Sequence, residues 1–126
     1  MKYILILLVA WGISACASQK MTQAEIEKIL IGQWQEKESA DKSSFRFVRS
    51  SEIIADIKSL HFKEDGSVEL YFPFGCQMPP FFKTSTAKWR VLSTDKIEID
   101  HSYPGAEPEK WQILKLNRSE FRFVYE

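Results

Sequence analysis

Hydrophobic and polar positions change period once along this chain. Thr22-Gln23-Ala24-Glu25 has the form of a capping box. In such a box the Thr22 hydroxyl accepts from the Glu25 N–H, and the Glu25 carboxylate reaches back to the Thr22 N–H. Ile26, Ile29 and Leu30 follow at helical spacing, with Glu25 and Lys28 off that face, and Gly32 stops the run. The spacing predicts a helix of about two turns. Such a helix is too short to stand alone, so its apolar stripe must dock on something larger.

Past Gln33 the pattern is that of strands and turns. Residues 33–38 carry Trp34 as their one large apolar side chain, and 37–44 read as a polar loop. Phe45-Arg46-Phe47-Val48-Arg49 alternates as a strand does. Residues 50–57 fit a short helix, a strand or a bulged strand alike. Residues 58–63 and 67–72 flank Glu64-Asp65-Gly66, and Asp-Gly between alternating runs signals a hairpin. Leu60 and Phe62 face Val68, Leu70 and Phe72 across it. Ala87, Trp89 and Val91 share one face of 85–92, and Ile97 and Ile99 one face of 96–100. A last hairpin, 110–116 and 120–125, turns at Asn117-Arg118-Ser119, with Phe121, Phe123 and Tyr125 on one face. Its first strand has Trp111 and Ile113 on one face but Leu114 and Leu116 on the other, which predicts a bulge or a second covered face. About seven or eight short one-faced strands predict an all-β fold with a short N-terminal helix: an antiparallel meander closed into a barrel or folded into a sandwich.

One segment breaks this rhythm. Residues 72–82 hold four phenylalanines, three prolines, one methionine and no charge in eleven positions. Proline cannot donate to a ladder, so the segment stays out of a central strand. Loops are ordinarily polar, so an apolar one either folds over the barrel mouth as a lid or offers a contact patch. The patch would face a partner, a ligand or a membrane. Phe74, Met78, Phe81 and Phe82 are its candidate contact residues, with Met and Phe supplying an adaptable surface. Trp34, at the start of the first strand, and Trp89 complete the set: they either line the closed part of a ligand cavity or belong to the core.

The first residues follow another logic. Lys2 precedes an apolar run from Tyr3 to Trp11, too short to span a ~30 Å hydrocarbon core. Ile13-Ser14-Ala15-Cys16 comes directly after it. This resembles the lipobox of a bacterial lipoprotein signal. The resemblance implies removal of residues 1–15, acylation of Cys16 with palmitate among the chains, and a short tether over 16–21. Ala17 and Ser18, with no Asp next to the cysteine, imply the outer membrane rather than the inner by the same resemblance. With Cys16 acylated, Cys76 is the one thiol left, and no intramolecular disulfide forms. Cys76 has no basic neighbour within five positions and apolar surroundings, which suit a buried structural cysteine better than a reactive thiol.

Composition removes several functions. The 17 basic and 17 acidic residues cancel, so there is no global electrostatic reason to expect nucleic-acid binding. Two cysteines and two histidines, His61 and His101, make no closed zinc site. Adjacent Asp100 and His101 point to opposite faces of a strand. No nucleophile-elbow, phosphate-loop or zinc motif occurs. The expectation is a protein that is not an enzyme and carries no catalytic residues, cofactor or metal.

Four stretches together resemble a known family. They are Ile31-Gly32-Gln33-Trp34, His61-Phe62-Lys63-Glu64-Asp65-Gly66-Ser67, Trp89-Arg90-Val91 leading to Asp95-Lys96-Ile97-Glu98-Ile99, and Lys110-Trp111-Gln112-Ile113-Leu114-Lys115-Leu116 leading to Glu120-Phe121. Over residues 22–126 the chain resembles the small lipocalin-like domain of bacterial lipoproteins. The resemblance implies a calyx that holds a small hydrophobic ligand at the cell envelope. Small barrels are also often filled by their own side chains. The alternative is therefore a packed barrel that docks a protein partner through the aromatic segment 72–82.

Overall fold

A computed structural model describes residues 21–39, 41–74, 81–101 and 104–126. Cys16, the run before it, Cys76 and Met78 lie outside the described residues. Helix α1 covers Gln23–Leu30, followed by strands β1 Gly32–Lys37, β2 Phe45–Arg49, β3 Ser59–Phe62, β4 Ser67–Phe74, β5 Phe81–Ser93, β6 Lys96–Asp100, β7 Glu109–Leu116 and β8 Glu120–Tyr125. The strands close into an antiparallel barrel in the order β1-β2-β8-β7-β6-β5-β4-β3. From β3 to β8 the chain is a plain meander. The β1–β2 hairpin completes the ring with β1 beside β3 and β2 beside β8. Residues 50–58 must therefore pass β1 to reach its other side. They do so as an irregular link, neither helix nor strand, with Asp56 at φ 64°.

The capping box forms in part. Thr22 Oγ1 accepts from the Glu25 N–H at 3.2 Å. The Glu25 carboxylate accepts a hydrogen bond from the Thr22 hydroxyl, also at 3.2 Å, in place of the backbone N–H that the sequence suggests. Ile26 and Leu30 are buried, so the stripe docks as its spacing demands. It docks across one end of the barrel. Gln23 Nε2 donates to the Leu92 carbonyl at 3.1 Å, and Trp34 Nε1 to the Leu30 carbonyl at 2.8 Å. Arg49 locks this end. Its guanidinium lies 4.0 Å from the Trp34 ring and donates to the carbonyls of Ile29, Ile31 and Arg118. Helix carbonyls left without an intrahelical partner are satisfied in this way. Gly32 leaves the helix at φ +130°, which favours glycine, and a Cβ there would push the Arg49 guanidinium off its present contacts.

Aromatic rings fill the interior. Trp111 stacks on Phe123 at 4.2 Å, Phe123 on Phe121 at 4.8 Å, and Phe121 meets Phe62 at 6.2 Å and Trp34 at 5.8 Å. Phe62 is on β3 and Phe121 on β8, two strands apart on either side of β1 and β2, so these contacts cross the barrel. The phase change expected in 110–116 is a bulge between Ile113 and Lys115. It lets Trp111, Ile113 and Leu116 all turn inward while Leu114 stays exposed.

Candidate functional site at the open end

Opposite α1 the barrel has no cover among the described residues, and two things happen there. The first is a change of chemistry on the inner face. Side chains alternate along a strand, so the residue two beyond each core position lines the same side. Past Trp34 that residue is Glu36. Phe72 follows Leu70, His101 follows Ile99, and Tyr125 follows Phe123. Glu109 precedes Trp111, and Lys83 and Ser85 precede Ala87. The last inner layer thus sets polar and charged groups beside the Phe45 and Phe72 rings, where the layer below is apolar.

These groups meet one another. Lys58 Nζ lies 3.8 Å from Glu36 Oε2, 5.8 Å from the Phe45 ring and 5.6 Å from the Phe72 ring. Phe45 packs on Tyr125 at 4.7 Å. Glu109 accepts from Trp111 Nε1 at 3.1 Å through one oxygen, and its other oxygen is 3.4 Å from His101 Nε2. Burial pushes the Tyr125 hydroxyl up to about 12, and the negative charges of Glu109 and Glu36 push the same way. Carboxylates, ammonium groups, an imidazole and a phenol therefore share one mouth, set against aromatic rings. Barrel mouths are a usual place for ligand sites. The group can anchor the polar part of a ligand while the rings take its apolar part.

The second feature is an arm. β3 pairs with β4 only as far as Ser59↔Tyr71, and β6 pairs with β5 only from Lys88↔Asp100. The rows Phe72↔Lys83, Pro73↔Phe82 and Phe74↔Phe81 continue beyond both. They form a two-stranded ribbon without a described neighbour on either edge. This explains how Pro73 sits inside a strand: a missing N–H costs nothing where no ladder partner stands. Phe74 is 63% exposed and Phe81 60%. The Lys83 ammonium lies 5.3 Å from the Phe74 ring. Phe82 is half-buried on the other face, 5.2 Å from Tyr71. A hollow of 310 Å³ at the foot of the arm is lined by Phe72, Pro73, Phe74 and Lys83, with Ser85, Thr86 and His101.

The residues singled out from sequence do not converge on one place. Trp34 is fully buried under α1 and Arg49, as core. Trp89 packs edge-on against Phe62 at 5.0 Å and donates to the Lys63 carbonyl. Phe81 and Trp89 are eight positions apart on one strand, roughly 26 Å at strand rise. Phe74 and Phe81 are therefore not rings folded down onto either tryptophan. Glu36, Lys58, Glu109 and Tyr125 are the mouth residues that sequence reasoning passed over. Their signal was phase: each continues an inward-facing apolar series by one more step. Among the described residues no group of three or more His, Cys, Asp or Glu is arranged to hold a metal ion. Searches against family models, curated proteins and solved structures find no match to this chain.

Proposed function

We propose that this chain is a lipid-anchored binding protein of the cell envelope. It acts by contact and not by catalysis. In this reading its packed, lipocalin-like barrel is a rigid stand for the open mouth and the β4–β5 arm, which engage a protein partner. One observation carries it: the interior is occupied by stacked rings, while Phe74 and Phe81 are left exposed at the last described row of a ribbon. Exposed apolar pairs of this kind are contact surfaces, and an unpaired ribbon edge can accept a strand from another chain.

Anchoring supports the same arrangement. Residues 17–21 reach at most about 18 Å when extended, and α1 begins at the closed end. A lipid on Cys16 would hold that end near the bilayer and turn the arm away from it. Cys16→Ser should release the protein from the membrane fraction. If the variant stays there with its acyl mass, the anchor is elsewhere.

The partner is tested by a photo-crosslinking amino acid at Phe81 in the cells of origin. The expected result is a discrete protein adduct, absent when the same group replaces Arg118 at the closed end. Equal labelling at both positions, or adducts with lipid alone, contradicts the reading. The 310 Å³ hollow favours a second reading, a small hydrophobic ligand seated against Phe72 and Phe74 with its polar end at Lys83. Native mass spectrometry of the purified protein would then find a co-purified small molecule.

A further inference from the structure

Four neighbouring strands each place one cation in a single cross-strand row. Lys37 on β1 faces Arg46 on β2, Arg46 faces Arg122 on β8, and Arg122 faces Lys115 on β7. Phe47 and Phe123 next to them are buried in the core, so Arg46 and Arg122 stand on the outer wall. Like charges directly opposite one another destabilise a sheet. Three such contacts in one row are not something the fold itself needs.

Internal compensation is incomplete. Glu120 reaches Arg46 Nε at 3.3 Å and Lys115 Nζ at 3.6 Å. Burial alone would raise its carboxyl, but Arg46 and Lys115 hold it below the usual range. Asp41 is held low by the Ser43 N–H and hydroxyl, with a smaller contribution from Arg122. Arg122 donates to Ser44 Oγ at 3.5 Å, and its buried Nε donates to nothing among the described residues. A hollow of 510 Å³ adjoins the row and takes in Lys37, Lys42 and Arg46, with Glu36, Glu38 and Asp41 also on its wall. Of the carboxylates around the four aligned cations, only Glu120 is ion-paired with them among the described residues.

We propose that this wall docks a linear polyanion, an acidic polysaccharide of the envelope, laid across β1, β2, β8 and β7. Strands are ~4.8 Å apart, so the row extends roughly 14 Å. A single oxyanion reaches two neighbouring cations at most. A chain of repeated carboxylates or phosphates reaches all four. Shape selects the class. Four strands of an eight-stranded barrel turn the row through roughly 135° of a convex wall. A flexible chain follows that curve, whereas a flat bilayer touches it at one or two positions. The envelope as the source rests on the anchoring proposed above, whose failure Cys16→Ser reports separately.

Binding of the purified protein to polygalacturonate, a linear polycarboxylate, tests this. We expect binding at low salt that weakens about ten-fold towards 0.15 M, as exposed charges are screened. Lys37→Gln with Lys115→Gln should weaken it by about another ten-fold, since both side chains are exposed and carry charge alone. Glu120→Gln removes the resident carboxylate and should tighten binding, a gain that misfolding cannot imitate. Lys88→Gln with Arg90→Gln takes the same charge from another wall and should change it less than about two-fold if the row is specific. No binding at low salt, or equal losses in the two double variants, overturns the proposal. Phosphatidylglycerol vesicles and inorganic phosphate are run beside it. Binding to either one without binding to polygalacturonate also overturns it.

Discussion

At the closed end the side chains of Gln23, Trp34 and Arg49 bond to the backbone of other elements. Arg49 alone ties the helix carbonyls to the β7–β8 turn, and Trp34 bonds to the helix above it. At the open end the inner layer is charged, the strands stop pairing one after another, and a ribbon runs on with its rings exposed. Both ends are built from the same alternation of side chains. The difference is what occupies the last inward position: Leu, Phe or Trp below, and Glu, Lys, His or Tyr above. In the reading proposed above one end serves stability and the other contact, and substitutions should separate them.

The largest effect belongs to the packed interior. Trp111→Ala removes a ring stacked 4.2 Å from Phe123 and should cost about 3–5 kcal/mol in denaturant unfolding. A loss below about 1 kcal/mol would mean that the interior is loosely filled and open to ligand. The closed end comes next. Gly32→Ala meets both an unfavourable φ and the Arg49 guanidinium, and should cost about 1–3 kcal/mol. Gly66→Ala, at φ +88° with open space around it, should cost less, from the backbone strain alone. If the two cost the same, the Arg49 clamp does not constrain position 32. The arm should barely register. Phe74→Ser with Phe81→Ser should leave stability within about 1 kcal/mol, the scale of exposed positions and of an exposed cation–π contact.

A pH effect marks the mouth itself. Tyr125 ionises near 10 when unfolded and at about 12 in the fold. Below pH 10 both forms are neutral and the residue makes no pH-dependent contribution. As pH rises from 10 to about 12 the unfolded chain loses this proton first, so stability falls across that window and no further above it. Tyr125→Phe should flatten this part of the stability profile. The tyrosinate absorbance missing from that variant should have its midpoint near 12. A midpoint near 10 would mean that Tyr125 is neither buried nor placed against Glu109 and Glu36.

Most of the barrel could be read before any coordinates. Capping at Thr22, the Asp65-Gly66 turn and the inward faces of β3 to β8 follow from local chemistry and period two, and local rules are visible in sequence. The placement of β1 beside β3 was not legible, because it depends on which strand edges meet after folding. The 50–58 link was ambiguous for the same reason: its conformation answers to the crossing it makes. Segment 72–82 was legible as unusual, and its prolines signalled sparse pairing. Its first and last residues nevertheless continue the strands, since Pro73 falls where β3 has already ended. The charged residues of the mouth were not singled out because only apolar positions were followed along each strand. Glu36, Glu109 and Lys58 are inward by phase, and phase decides direction in a strand.

In the proposed function binding occurs at the arm and mouth and not within the barrel. The direct measurement is titration with an apolar fluorescent dye that brightens on contact with exposed hydrophobic surface. It is made on the native protein and on Phe74→Ser/Phe81→Ser under conditions where both are folded. The account predicts that the wild type binds the dye and that the double variant loses most of that signal with its melting curve intact. Undiminished dye binding by the folded variant would place the apolar site inside the barrel and contradict it.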